Sequence, residues 1–200
     1  MAVSTIGVAD ATSPDKYLWT EQRTVSSTAR EAQVVLEGEG VYPTYSVVAY
    51  SIAMATADSH LLQVMGDGSN YTRIKRIIVA PGGATALGIG AFQVLRLSSA
   101  GTGGATLTPS PYDTADTYAG GAMSLPSSKG TEGVLVHAGV APMSSGTVPN
   151  QLPYTWEPSV GGKPIILGPA TSDGIVIKNM TALSGGTGIV VVEFITTSFL

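Results

Sequence analysis

Residues 59–80 read SHLLQVMGDGSNYTRIKRIIVA. Two runs rich in apolar and β-branched residues, Ser59–Met65 and Tyr71–Ala80, enclose Gly66-Asp67-Gly68-Ser69-Asn70. Those five residues are turn formers, through free glycine dihedrals and side chains that bond their own backbone. The pattern predicts two strands joined as a β-hairpin. In the second run Arg73, Lys75 and Arg76 precede Ile77, Ile78 and Val79, so the strand is expected to begin exposed and end buried. Arg73 and Lys75 fall on one face, because strand side chains alternate. They form the densest positive patch, read either as a solvated strand end or as an ion-pairing contact with an acidic neighbour.

The same grammar extends both ways. Tyr45–Thr56 is almost free of charge and predicts a strand buried on both faces. Pro81-Gly82-Gly83 ends the quoted stretch, Leu87–Ser98 gives a further strand, and Ala100-Gly101-Thr102-Gly103-Gly104 breaks it. Residues 99–130 read as a long loop, which in a compact domain is functional or covered by a neighbour. Glu132–Ala138 is a strand, and residues 138–156, uncharged and holding Pro142, Pro149 and Pro153, read as a second long loop. Pro164–Leu167, Gly174–Lys178 and Gly188–Thr196 complete a series of eight to ten strands without helical periodicity. That is the signature of an all-β sandwich or barrel.

Composition agrees. The chain has 200 residues, 44% hydrophobic and only 12% charged, with a net charge of −4. Valine and isoleucine total 32 against 14 leucines, and serine and threonine total 42. β-Branched and turn-forming residues disfavour an all-helical fold, and high apolar content with low charge excludes disorder. There is no cysteine, so disulfides and thiolate metal sites are impossible. No apolar run approaches the ~20 residues of a spanning helix. The first residues lack a basic region followed by an apolar core and do not read as a signal peptide. An acidic chain without clustered basic charge is not expected to bind nucleic acid or a membrane.

Residues 1–40 differ from the rest. They hold nine of the 24 charges. Thr12-Ser13-Pro14-Asp15 could cap a short helix over Lys16–Gln22, and Gln33–Glu37 reads as a strand. We take this region as an extended arm and residues 41–200 as one β domain. Tyr17, Leu18 and Trp19 argue against a frayed end, since aromatic side chains need packing partners, and they are candidate contacts to a partner subunit.

No pattern carries catalysis. The 20 serines lack a G-x-S-x-G elbow. His60 and His137 lie on different strands and read as histidines at a sheet edge or interface; their spacing makes no metal pair. Asp67, Ser69 and Asn70 lack the acidic residue that a calcium loop needs and read as a turn. The glycine-rich segments 101–104 and 185–188 lack the Lys-Ser/Thr of a phosphate loop. Asp113 and Asp116, in a proline/threonine loop, fit Asx-turns better than a glycosidase pair. No catalytic residue, cofactor or metal is therefore expected.

Several segments together carry a resemblance: Ile74-Lys75-Arg76-Ile77 leading to Pro-Gly-Gly, the loop with Tyr112-Asp113-Thr114, Trp156, Leu167-Gly168-Pro169, Gly174–Thr181, and the last strand Val190-Val191-Val192-Glu193-Phe194. Over roughly residues 70–198 the chain resembles small jelly-roll virion proteins of tailed bacteriophages. The resemblance implies a single jelly-roll-like β-sandwich and a non-enzymatic capsid decoration (cement) protein on the outside of the head. It further implies the major capsid protein as partner, a homotrimer, and location on the capsid surface. An extended arm of ~40 residues could reach ~130 Å and add a second attachment. The alternative is a receptor- or glycan-binding module of a fibre or tail, with Tyr112, Tyr118, Tyr154 and Trp156 stacking on sugar rings. A metal-bearing cupin-like enzyme is the third reading, and the histidine spacing speaks against it.

Overall fold

The structure is a computed structural model and describes residues 3–7, 17–25, 28–33, 42–82, 88–143 and 152–197. The chain divides into two compact units, Met1–Val41 and Tyr42–Leu200.

The first unit is an antiparallel sheet in the order β1-β2-β3, made of β1 (Val3–Gly7), β2 (Tyr17–Val25) and β3 (Thr28–Gln33). Trp19 pairs with Thr5, Leu18 with Ile6 and Tyr17 with Gly7, while Arg23 faces Arg30 across the β2–β3 ladder. One expectation is corrected. The stretch expected as a helix from Lys16 is β2: seven residues are too few to propagate a helix, and Tyr17, Trp19 and Thr20 favour a strand. Gln33 lies in β3, and the rest of the strand expected over Gln33–Glu37 falls outside the described residues. The described residues of this unit form a folded-back sheet rather than one extended segment.

The second unit is a β-sandwich. One sheet runs β11-β7-β14-β5-β10-β8, built from β5 (Ser59–Met65), β7 (Gly88–Ser99), β8 (Ala105–Leu107), β10 (Met123–Leu125), β11 (Thr131–Met143) and β14 (Gly174–Asn179). The other runs β12-β6-β15-β4-β9, from β4 (Thr44–Ala53), β6 (Tyr71–Gly82), β9 (Ser110–Pro111), β12 (Tyr154–Trp156) and β15 (Thr187–Thr197). β13 (Ile165–Leu167) continues the β12 edge along the first half of β6. With β8, β9, β10 and β13 set aside, the sheets are β4-β15-β6-β12 and β5-β14-β7-β11. Successive strands cross between the sheets except from β7 to β11. This is the double Greek key of a jelly roll, as the sequence led us to expect.

The expected hairpin is not one. β5 and β6 begin and end where the sequence placed the first and start where it placed the second, but they belong to opposite sheets. The turn at residues 66–70 therefore crosses the end of the sandwich. It does so beside the β13–β14 crossover: the Gly66 N–H donates to the Asp173 carbonyl at 2.8 Å and the Gly68 N–H to that of Pro169. A Cβ on Gly66 would lie 2.3 Å from the Ala170 oxygen and 2.7 Å from that of Gly168. Both are backbone atoms, so they cannot swing aside. Gly66→Ala is expected to cost about 3 kcal/mol in thermal unfolding; an unchanged melt would mean the two turns do not touch.

The core fills the space between the sheets with alternate residues of each strand, among them Val47, Leu62, Val64, Ile74, Ile77, Phe92, Ile175, Ile177, Val192 and Phe194. Bulges adjust the alternation. In β5 Leu61 has no partner between Leu62 opposite Ile177 and His60 opposite Lys178, so Leu61 and Leu62 both face inward. In β6 the shift at Glu193/Phe194 leaves Lys75 as the extra residue, which keeps Ile74 and Ile77 buried. β4 is buried on one face only, contrary to expectation: low charge made it look interior, while its outward residues are hydroxylated or small. β14 is buried on both faces, and β5 nearly throughout. The outward Val176 of β14 packs with Met65, Leu95 and Leu97 in a second cluster.

Candidate interaction surface

The outer face of the β5-β14-β7-β11 sheet carries two adjoining features. The first is a cluster of charge. Strand register puts Lys178 of β14 beside His60 of β5 on this face. Glu132, at the bulged start of β11, reaches both: its Oε1 accepts from His60 Nε2 at 2.9 Å and its Oε2 from Lys178 Nζ at 2.8 Å. Asp58 sits just before β5 at a φ of 58° and receives Lys178 on one oxygen and Lys129 on the other. The side chains of His60 and Lys178 are 0% and 7% exposed. Two carboxylates thus balance two ammonium groups around a buried imidazole.

The electrostatics follow from these contacts. The hydrogen bonds from Lys129 and Lys178 hold the Asp58 carboxyl down at about 2. Burial would raise Glu132, but the bonds from Lys178 and His60 outweigh it and lower its value. Burial would lower Lys178, yet Asp58 and Glu132 together raise it. For His60 burial prevails over the attraction of Glu132 and lowers its value. An ionised carboxylate only accepts, so Nε2 carries the neutral ring's proton and Nδ1 is bare; Nδ1 is buried without a hydrogen-bond partner.

The second feature is apolar. Along the β7–β11 ladder Leu135 faces Leu95, Ala138 faces Gln93, Val140 faces Ala91 and Pro142 faces Ile89. Paired residues share a face, and these point away from the core. Val134 is 75% exposed, Val140 63%, Ile89 63% and Leu135 48%. Met180, whose N–H donates to the Ala91 carbonyl, continues the stripe sideways. β11 carries no charge between Gly133 and Met143. The strand is also longer than expected, since residues 139–143 extend it into the predicted loop; residues 144–151 of that loop lie outside the described residues.

The residues singled out in the sequence distribute differently. Tyr154 is 4% exposed, its ring 6.0 Å from Phe92 and its hydroxyl 2.8 Å from His137 Nδ1. Burial pushes that hydroxyl up to about 12. Tyr154 is therefore a core residue, not a partner contact or a sugar-stacking surface: Gly139 on β11 leaves the gap that its ring fills. Trp156 packs partly buried against the core. Tyr118 lies between Tyr45 and Phe194, with its hydroxyl donating to the Gly121 carbonyl. Tyr112 alone of the four is well exposed, at 61%. It stands on the opposite sheet, where burial and a bond to Glu193 raise its hydroxyl.

Arg73 and Lys75 share the outer face of β6, joined by Arg76 through the bulge. Arg76 lies 3.7 Å from both Glu157 and Glu193, so this member of the basic group is ion-paired. His137 is exposed at the β11 edge, as expected, whereas His60 is interior. Tyr17, Leu18 and Trp19 belong to β2; their side chains lie outside the described residues. Residues 99–130 form short strands against both sheets, and Gln63 bonds Gly101 and Ser124 across them.

Sequence reasoning missed the Asp58, Lys129, Glu132 and Lys178 cluster. One signal was available: Lys178 is the single charge in a strand otherwise too apolar to be exposed. Comparison with protein-family models, curated proteins and solved structures finds no match for this chain.

Proposed function

We propose that this protein is a structural virion component of a tailed bacteriophage, a decoration protein that binds the outside of the assembled head and reinforces contacts between capsomers. The observation that carries the reading is the uncharged apolar stripe on the outer face of β7 and β11. Exposed apolar area of this kind marks a surface that is covered in the working assembly. The jelly-roll topology supports it, since capsid proteins use this architecture widely, and so does the resemblance of residues 70–198. On this reading the major capsid protein lies against the stripe, the protein acts as a closed homotrimer, and its role is binding rather than catalysis. The fibre or tail reading is weaker than the sequence suggested, because Tyr154 belongs to the core and Trp156 and Tyr118 are partly buried.

Immunogold labelling of purified particles, with antibodies against residues 42–200, tests the proposal. Regular labelling over the head is the expected result. Labelling confined to tail or fibre tips would replace decoration by receptor binding, and unlabelled particles would overturn the virion role altogether.

A further inference from the structure

We propose that Lys178 and Asp58 form an intramolecular isopeptide bond after folding, with Glu132 carrying the protons. The geometry is that of a buried amine in hydrogen-bond contact with two carboxylates in unlike surroundings. β14 is buried along its whole length, and the Lys178 side chain is buried with it. Its Nζ donates to Asp58 Oδ1 and, at 2.8 Å, to Glu132 Oε2. The amine has thus shed its water and meets two carboxylates in its place. Lys129, the other amine of the cluster, is half-exposed and keeps its hydration, which makes it the weaker nucleophile.

Each of the other groups has a place in the step. Asp58 is fixed in the left-handed region at a φ of 58°, a conformation that persists in a non-glycine residue only where the surroundings enforce it. Its Oδ2 receives Lys129, which sets a cation beside the oxygen that gains charge when the amine adds. Glu132 turns Oε1 to His60 Nε2 at 2.9 Å and leaves Oε2 to Nζ. The Asp58 side chain is half-exposed, so the released water has a way out.

Atoms and charges balance. Glu132 Oε2 takes one proton from the Lys178 ammonium, and the freed lone pair on Nζ forms a bond to Asp58 Cγ. As the Cγ–Oδ1 bond breaks, its electron pair stays on oxygen, which takes from Glu132 first that proton and then the second one lost by Nζ. Glu132 ends as the carboxylate it began. Ammonium and carboxylate become a neutral amide and one water, and nothing is oxidised or reduced. Burial opposes the ammonium, but Asp58 and Glu132 together favour it, so the resting pair is ionic. The bond therefore forms slowly, through the minor form with the proton on Glu132, and it need form only once. Groups held side by side react as though at about 10⁵–10⁸ M, which offsets the excess of water that opposes condensation in free solution. The bond closes a loop from residue 58 to residue 178 in a chain that has no cysteine for a disulfide. It does not depend on the role proposed above.

The mass of the full native chain, measured under denaturing conditions, reads the bond. It is expected to lie one water below the mass of the sequence, with a branched tryptic peptide joining Lys178 to Asp58. Asp58→Ala is expected at its full sequence mass, and Asp58→Asn to lose ammonia in place of water. Glu132→Gln is expected to link at least about 100-fold more slowly. A full sequence mass for the native chain after prolonged incubation overturns the proposal. So does a lost water that maps to Asp67–Gly68 or Asp173–Gly174, or a branch from Lys178 to Glu132. The native-chain result decides whether or not the variants fold.

Discussion

Phe194→Ala is expected to lower the melting temperature by roughly 10 °C, following from a loss of about 3–5 kcal/mol. Phe194 is fully buried in the middle of β15, the central strand of its sheet. Its ring stacks on Tyr45 at 5.6 Å and meets Tyr118 edge-on at 5.9 Å. Such pairs add about 0.5–1.5 kcal/mol each beyond buried area. The effect reaches further than one cavity. The Tyr45 hydroxyl donates to the Thr117 carbonyl at 3.1 Å, and burial raises the Tyr118 hydroxyl. The three rings therefore anchor the 112–121 connection to the sheet. Alanine at Phe194 unpacks both tyrosines, and limited proteolysis should cut first within that connection. Tyr112→Ala is the matched control: on an exposed site it should move the melt by no more than about 0.5 kcal/mol. A Phe194→Ala melt within 3 °C of the native chain would contradict this account of the core.

What the sequence disclosed and what it hid have separate physical causes. Alternation of apolar and polar residues is a property of single strands, so β5, β7, β14 and β15 were located to within a residue or two. Pairing is not such a property. The turn at 66–70 has hairpin chemistry: Asp67 accepts from the Ser69 and Asn70 N–H groups at 2.7 and 2.6 Å. Whether that turn returns along the same sheet or crosses to the other depends on the 168–173 turn, a hundred residues away, that clamps Gly66. The charge cluster was hidden for the same reason. Asp58, Lys129, Glu132 and Lys178 are spread over 120 positions and meet only because β5 and β14 pair and β11 begins with bulges. The aromatic residues misled differently. Tyr154 follows a charge-free loop, as an exposed binding residue would, but Gly139 on the facing strand admits its ring to the core.

The stripe along β11 bears most directly on function, and its test is sharp. On the proposed decoration role, Leu135→Glu combined with Val140→Glu is expected to weaken readdition of the protein to stripped phage heads by at least about 30-fold, the scale of a 2 kcal/mol interface hot spot. The melt should move little, since exposed strand positions differ among residues by only about 1 kcal/mol. The distinction between face and edge matters here. The free edge of β11 is poorly suited to pairing with another strand: its first half is bulged and Pro142 removes a donor near its end, the devices by which sheets avoid edge-to-edge association. Its face has no such protection. Val140, Ile89 and Leu135 present side chains outward with no charge among them, and the nearest ions, Lys178 and Glu132, already satisfy each other. A partner meeting this face thus buries apolar surface without stranding a charge. Two glutamates reverse that, because each must be desolvated with no cation opposite. Unimpaired binding by a folded double variant would remove this face from the interface and move the search to the opposite sheet, where Tyr112 and Tyr50 stand exposed.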